Sequence, residues 1–162
     1  MGHDYILWIA TAAYAFHILE EYELNWYDWA RNILKLPVDM TSFYIVNSLV
    51  IVLGVCCAAV GWRLPLFALL FPAVMLVNAT GFHVLPVIRT RVFSPGIVTS
   101  VVLFYPIAIW CFVAAAQDDA LSIGNAIASL VLGVLLMAYP IILLKIRHWR
   151  CFRYGVAETA TD

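Results

Sequence analysis

Charge is what this chain has least of. Only 12% of its 162 residues are Asp, Glu, Lys or Arg, against 65% hydrophobic residues and a mean hydropathy of +0.95. A soluble globular domain carries about twice that charged fraction, so the composition excludes one. Cysteines are few and unpaired in pattern. Cys56 and Cys57 are adjacent in one apolar run, Cys111 lies in another and Cys151 in the C-terminal tail, which gives neither a disulfide framework nor metal-ligand spacing. The chain shows no internal repeat, low-complexity tract, long linker, or nucleotide or flavin motif. No basic residue precedes the first apolar run and no small-residue cleavage site follows it, so that run reads as a retained span rather than a signal peptide. Met1-Gly2 lacks the Ser or Thr at position 6 that myristoylation requires.

What remains is hydrophobic length. A bilayer core needs about 20 apolar residues as a helix, and five stretches supply them: Tyr5–Leu24, Thr41–Gly61, Leu64–Ile88, Ile97–Ala116 and Ile123–Leu144. They predict an all-α polytopic membrane bundle of five transmembrane helices, one integral membrane domain over residues 1–162. Between the first two, Trp26, Trp29, Ala30 and Ile33 share one helical face and Asp28, Arg31, Asn32 and Lys35 the other. This pattern predicts a short interfacial helix with aromatic anchors, ended by Pro37.

Cations are scarce on one side only. Arg31, Lys35, Arg89, Arg91, Lys145, Arg147, Arg150 and Arg153 fall on the side reached after the first, third and fifth spans, and Arg63 alone on the other. Basic residues stay cytoplasmic, so the N-terminus is expected outside and the C-terminus in the cytoplasm. The tail from Lys145 to Arg153 suits anionic lipid headgroups; its aromatics do not make it a nucleic-acid site.

Against this background, His17-Ile18-Leu19-Glu20-Glu21 stands out. At 100° per residue, Glu20 and Glu21 lie about −60° and +40° from His17, so the three side chains can converge. At about 1.5 Å per residue, His17 lies roughly 18 Å and the glutamates about 22–24 Å from the outer face. Asn78 and His83 of the third span and Asn47 of the second fall at about 21–28 Å, and Tyr105 and Tyr139 in the same zone. Several helices thus offer polar groups to one layer in the cytoplasmic leaflet, where buried charge is costly and marks function. One imidazole and two carboxylates suit Zn²⁺ or iron, with His83 completing the set of His17, Glu20, Glu21 and His83. The same groups suit proton chemistry without a metal, with Glu20 and Glu21 as the catalytic carboxylates and Asn78 beside them. Asn78 and Asn47 also fit as hydrogen-bonding glue between helices, and Tyr105 and Tyr139, each before a proline, as packing residues at a kink.

The His17–Glu21 string resembles the signature of the HXXEE family, small integral membrane proteins of uncharacterised function. Asn78-Ala79-Thr80-Gly81-Phe82-His83 is similar to that family's asparagine–histidine motif, and Phe93-Ser94-Pro95-Gly96 to its Tyr-x-Pro-Gly motif. The resemblance implies a functional His17/Glu20/Glu21 cluster and no particular reaction. The family places three residues between Asn and His and this chain four, which on an α-helix turns the two about 140° apart. Phe93 also lacks the tyrosine's hydroxyl.

The leading expectation is a membrane enzyme, metal-dependent through Zn or Fe, acting on a lipophilic small molecule that enters from the bilayer. Alternatives are a metal-free acid–base isomerase or cyclase of a lipid or isoprenoid, a proton-coupled transporter, and a non-catalytic membrane subunit. A transporter with so few spans would act as a homo-oligomer.

Overall fold

A computed structural model describes residues 2–146; the basic tail beyond Ile146, with Cys151, lies outside the described residues. All regular structure among them is helical. A 3₁₀ turn at His3–Tyr5 leads into α1 (Ile6–Glu23), followed by α2 (Trp26–Asn32) and α3 (Met40–Val60). Then α4 (Pro65–Asn78) runs through a π turn at Ala79–Val84 into α5 (Leu85–Thr90). The next rod begins with α6 (Ile97–Thr99), passes a second π turn at Ser100–Phe104 and continues as α7 (Tyr105–Gln117); α8 (Ile123–Ile146) closes the described chain. The five apolar stretches match α1, α3, the two composite rods and α8 to within a few residues.

Four of these are long and apolar enough to cross a membrane: Met40–Arg63, Pro65–Thr90, Ile97–Gln117 and Ile123–Ile142. The fifth, α1, differs in composition, because its 18 residues include Glu20, Glu21 and Glu23. The short helix after it is present but ends at Asn32, well before Pro37. Lys35, at φ 55, turns the chain there, so the proline follows the stop rather than causing it.

The bundle is built around α4. Ala68, Leu69, Phe71, Ala73, Val74 and Met75 are fully buried, because α4 packs against α1, α3, α7 and α8. Gly133 lets α8 come close: a Cβ there would lie 3.2 Å from the Ala73 carbonyl carbon. The outward surface is oily, with Leu49, Ile88 and Ile123 all more than 60% exposed. At one end, the Asp118 carboxylate accepts from the His3 backbone N–H, pairs with the His3 ring at 2.7 Å and accepts from Trp62 Nε1 at 2.9 Å. Those hydrogen bonds, the His3 backbone's first, outweigh partial burial and hold its carboxyl below the usual range. This clasp joins the start of α1 to the ends of α3 and α7. Glu20, Glu21, the start of α3 and the Pro95-Gly96 turn therefore gather at the opposite end.

Both π turns stand just before a proline, Pro86 and Pro106. A proline has no N–H for the carbonyl four residues earlier, here Phe82 and Val102, and each of these lies within its π turn. The ladder loosens to i→i+5 spacing where the α bond is missing.

Candidate metal centre

His17 and Glu21 are one turn apart on the buried face of α1, and the π turn brings His83 against them. The imidazoles lie 4.7 Å centre to centre at 88°; both are fully buried and Glu21 is 4% exposed. Glu21 Oε1 is 3.5 Å from His17 Nε2 and 3.4 Å from His83 Nε2. One ligand atom from each of the three residues falls within 4.8 Å of the others, a group that could hold a metal ion.

The surroundings fix which ring nitrogens are free. Thr99 Oγ1 lies 2.6 Å from Glu20 Oε2 and 2.7 Å from His17 Nδ1. A hydroxyl has one proton and a carboxylate only accepts, so Thr99 donates to Glu20 and accepts from His17 Nδ1–H. Ser94 Oγ donates to the Pro95 carbonyl at 3.3 Å and accepts from His83 Nδ1–H at 3.1 Å. Both rings therefore carry a proton on Nδ1 and direct Nε2 at Glu21. Among the described residues, neither Nε2 has a hydrogen-bond partner.

Those distances are long for charge-assisted hydrogen bonds, which run at about 2.7–2.9 Å. They match another geometry: two ligands about 2.0–2.1 Å from a tetrahedral ion lie about 3.3–3.4 Å apart. Protonating both Nε2 atoms would bury two imidazolium rings around one carboxylate. Protonating one leaves the other's lone pair facing a carboxylate oxygen with nothing between.

The adjacent glutamates have different places. Glu20 stays outside the ligand group, because its carboxylate accepts from the backbone N–H of Gly96 (3.1 Å), Val98 (3.2 Å) and Thr99 (2.8 Å) as well as from the Thr99 hydroxyl. It therefore caps the rod that begins at Ile97. Of the expected His17, Glu20, Glu21 and His83, the group that could hold a metal contains His17, Glu21 and His83, and Glu20 reaches His17 through Thr99.

Gly96 explains the Pro-Gly turn. Its φ is +92°, and a Cβ there would lie 2.5 Å from His83 Cε1 and 2.8 Å from His17 Cε1. Only glycine lets the backbone cover both imidazoles in that conformation. Phe104 closes the other side of His17, ring to ring at 4.3 Å.

Asn78 and His83 are not turned apart. Both are buried, because the intervening π turn takes up the extra residue. Asn78 Nδ2 donates to Tyr14 Oη at 3.2 Å, one turn before His17. Asn78 is thus beside the centre, through Tyr14, rather than in the ligand group. Of the remaining polar residues, Asn47 lines a neighbouring cleft, Tyr105 Oη pairs with Thr80 Oγ1 at 2.9 Å, and Tyr139 is 59% exposed. Phe93 is also exposed, so the hydroxyl it lacks is not missing from this centre. Thr99, Ser94 and Tyr14 were not legible as site residues in the sequence; Gly96 was signalled only by its motif.

A family model described as a protein of unknown function with HXXEE motif matches residues 8–111. The chain belongs to this family. No curated protein and no solved structure matches it. In this HXXEE protein, the motif's histidine and second glutamate face His83, while its first glutamate holds the Pro95–Thr99 turn in place.

Proposed function

We propose that this HXXEE protein is a five-span membrane protein whose His17, Glu21 and His83 hold a Zn or Fe ion and which acts on a lipophilic substrate. In this reading α1 crosses with the other four helices, its glutamates satisfied inside the bundle, and α2 lies at the interface. The centre lies in the cytoplasmic leaflet, with the N-terminus outside. One observation carries the metal: two buried imidazoles, each with Nδ1 against a hydroxyl, aim Nε2 atoms that have no hydrogen-bond partner among the described residues at one carboxylate oxygen.

Two imidazoles and a carboxylate are a donor set used by zinc hydrolases and non-haem iron oxygenases. Bound there, the ion supplies Lewis acidity or an activated water. The chain's part is to fix both imidazoles through Thr99 and Ser94, exclude water with Phe104 and the Gly96 backbone, and present Glu21 to the cleft. The lipophilic substrate follows from that cleft. Its empty volume, open mouth included, is about 630 Å³, and its apolar walls come mainly from α3 and α8, with α1 and α4 supplying Tyr14, Glu21 and Asn78.

Elemental analysis of protein purified without chelators tests this reading. Near-stoichiometric Zn or Fe is expected, lost in His17→Ala, Glu21→Ala and His83→Ala and kept in Glu23→Ala. Wild-type protein free of metal yet active would transfer the role to acid–base chemistry by Glu21 and Tyr14.

A further inference from the structure

The cleft beside the centre is selective in what it offers a headgroup. Among the described residues, no Lys, Arg or His lines it, and its one carboxylate is Glu21. With Glu21 carrying no ion, a fatty acid, a phospholipid or an isoprenoid phosphate would bring its anion to a negatively charged wall that has no cationic side chain among the described residues, which buried surroundings make costly.

The same wall carries Tyr14 and Asn78. Asn78 is 7% exposed, and its Oδ1 is buried with no hydrogen-bond partner among the described residues. With Asn78 Nδ2 donating to Tyr14 Oη, the pair offers the cleft an acceptor, Asn78 Oδ1, and a donor, the Tyr14 O–H. Exchanging the amide's O and N reverses the roles: Tyr14 then donates to Oδ1, leaving Asn78 Nδ2 as donor and a phenol lone pair as acceptor. Either way the wall presents one donor and one acceptor side by side. A hydroxyl is a small neutral group that satisfies both at once.

We infer that the cleft takes an uncharged, single-chain lipophilic alcohol, its hydroxyl held between Tyr14 and Asn78 beside Glu21 and its chain lying among Phe43, Val46, Val50 and Met137. The inference rests on reading the cleft as the substrate's place, and not on the metal. It gives the Asn78 motif a job other than ligation: Asn78 sets headgroup specificity, and the π turn keeps it on the same side of the rod as His83.

The test is equilibrium binding of radiolabelled 1-hexadecanol to purified full-length protein in nanodiscs of zwitterionic lipid. Its methyl ether and hexadecanoate serve as competitors. Saturable one-to-one binding of the alcohol is expected. The ether, which cannot donate, and the anion should each compete at least about tenfold more weakly. Asn78→Leu and Tyr14→Phe should each weaken the alcohol about tenfold and narrow its advantage over the ether. Val46→Trp, which fills the cleft from the α3 side, should abolish binding. Tyr14→Phe keeps the test decisive if Asn78→Leu fails to fold. Equal or tighter binding of the acid or ether would overturn the inference. So would an undiminished alcohol affinity in the folded Asn78 and Tyr14 variants, or in Val46→Trp. Metal content of the same samples separates this from the metal reading: a metal-free protein that still selects the alcohol through Asn78 refutes only the metal, and a metal-loaded protein indifferent to the alcohol refutes only this inference.

Discussion

Glu20 and Glu21 show how little a side chain's chemistry says without its neighbours. On α1 they flank His17 nearly symmetrically, and helical geometry alone gives either the same claim to the imidazoles. Four donors at Gly96, Val98 and Thr99 take Glu20, which leaves Glu21 facing both Nε2 atoms. Thr99 is the joint between the two arrangements, since its hydroxyl meets both His17 Nδ1 and the Glu20 carboxylate. Thr99→Val keeps the shape and removes that joint, freeing the ring to turn or take the other tautomer. Losing such a partner of a ligating histidine typically weakens metal affinity by about 10–100-fold. A competition titration with a chelating dye should show that loss in Thr99→Val with helical content unchanged, and none in Glu23→Gln, whose side chain is exposed. Wild-type affinity in Thr99→Val would mean that the hydroxyl does not set the imidazole.

At the scale of elements, the π turn at Ala79–Val84 decides whether the second histidine arrives. His83 lies five positions after Asn78, and an unbroken α-helix would set them about 140° apart. The wider turn absorbs the surplus residue and returns both to the buried side. Gly81 is exposed and has no atom within 4 Å of a Cβ built on it, so it can be removed without opening a cavity. Deleting Gly81 leaves the asparagine and histidine four residues apart, about 40° on an α-helix. The expected outcome is a folded protein with wild-type metal content. An alanine inserted after Gly81 should lose the metal, because a second surplus residue has no turn to absorb it. Loss of metal on deletion, with the fold intact, would show that the π geometry itself is required. The sequence carried the helices because apolar length and punctuation are local signals. It carried His17, Glu21 and His83 because such groups are costly in an apolar run. The π turns, the Thr99 and Ser94 hydroxyls and the division of labour between the glutamates depend on contacts across some 11 to 82 positions of chain, which no local pattern records.

On the scale of the whole molecule, the oily exterior and the clasp of His3, Trp62 and Asp118 fix how the ends of the bundle are arranged. Arg63 belongs to the clasp end, while Arg31, Lys35, Arg89, Arg91 and Lys145 are exposed toward the other. By the positive-inside rule, that imbalance supports the proposed orientation, with the clasp outside and the candidate metal centre in the cytoplasmic half. Ser94 is buried against His83, so the accessible reporters are Val92, 40% exposed, and Ile123, 82% exposed. In a cysteine-free background, an impermeant thiol reagent applied to intact cells should label Ile123→Cys and spare Val92→Cys. The opposite pattern would place the centre in the outer leaflet with its geometry unchanged.

The central claim is that His17, Glu21 and His83 share one metal ion, and X-ray absorption at the metal edge of purified protein tests it most directly. The account predicts Zn or Fe with two imidazole nitrogens at about 2.0–2.1 Å for zinc, oxygen ligands and no sulfur. A spectrum with one imidazole in the wild type, a thiolate, or oxygen ligands alone would contradict it.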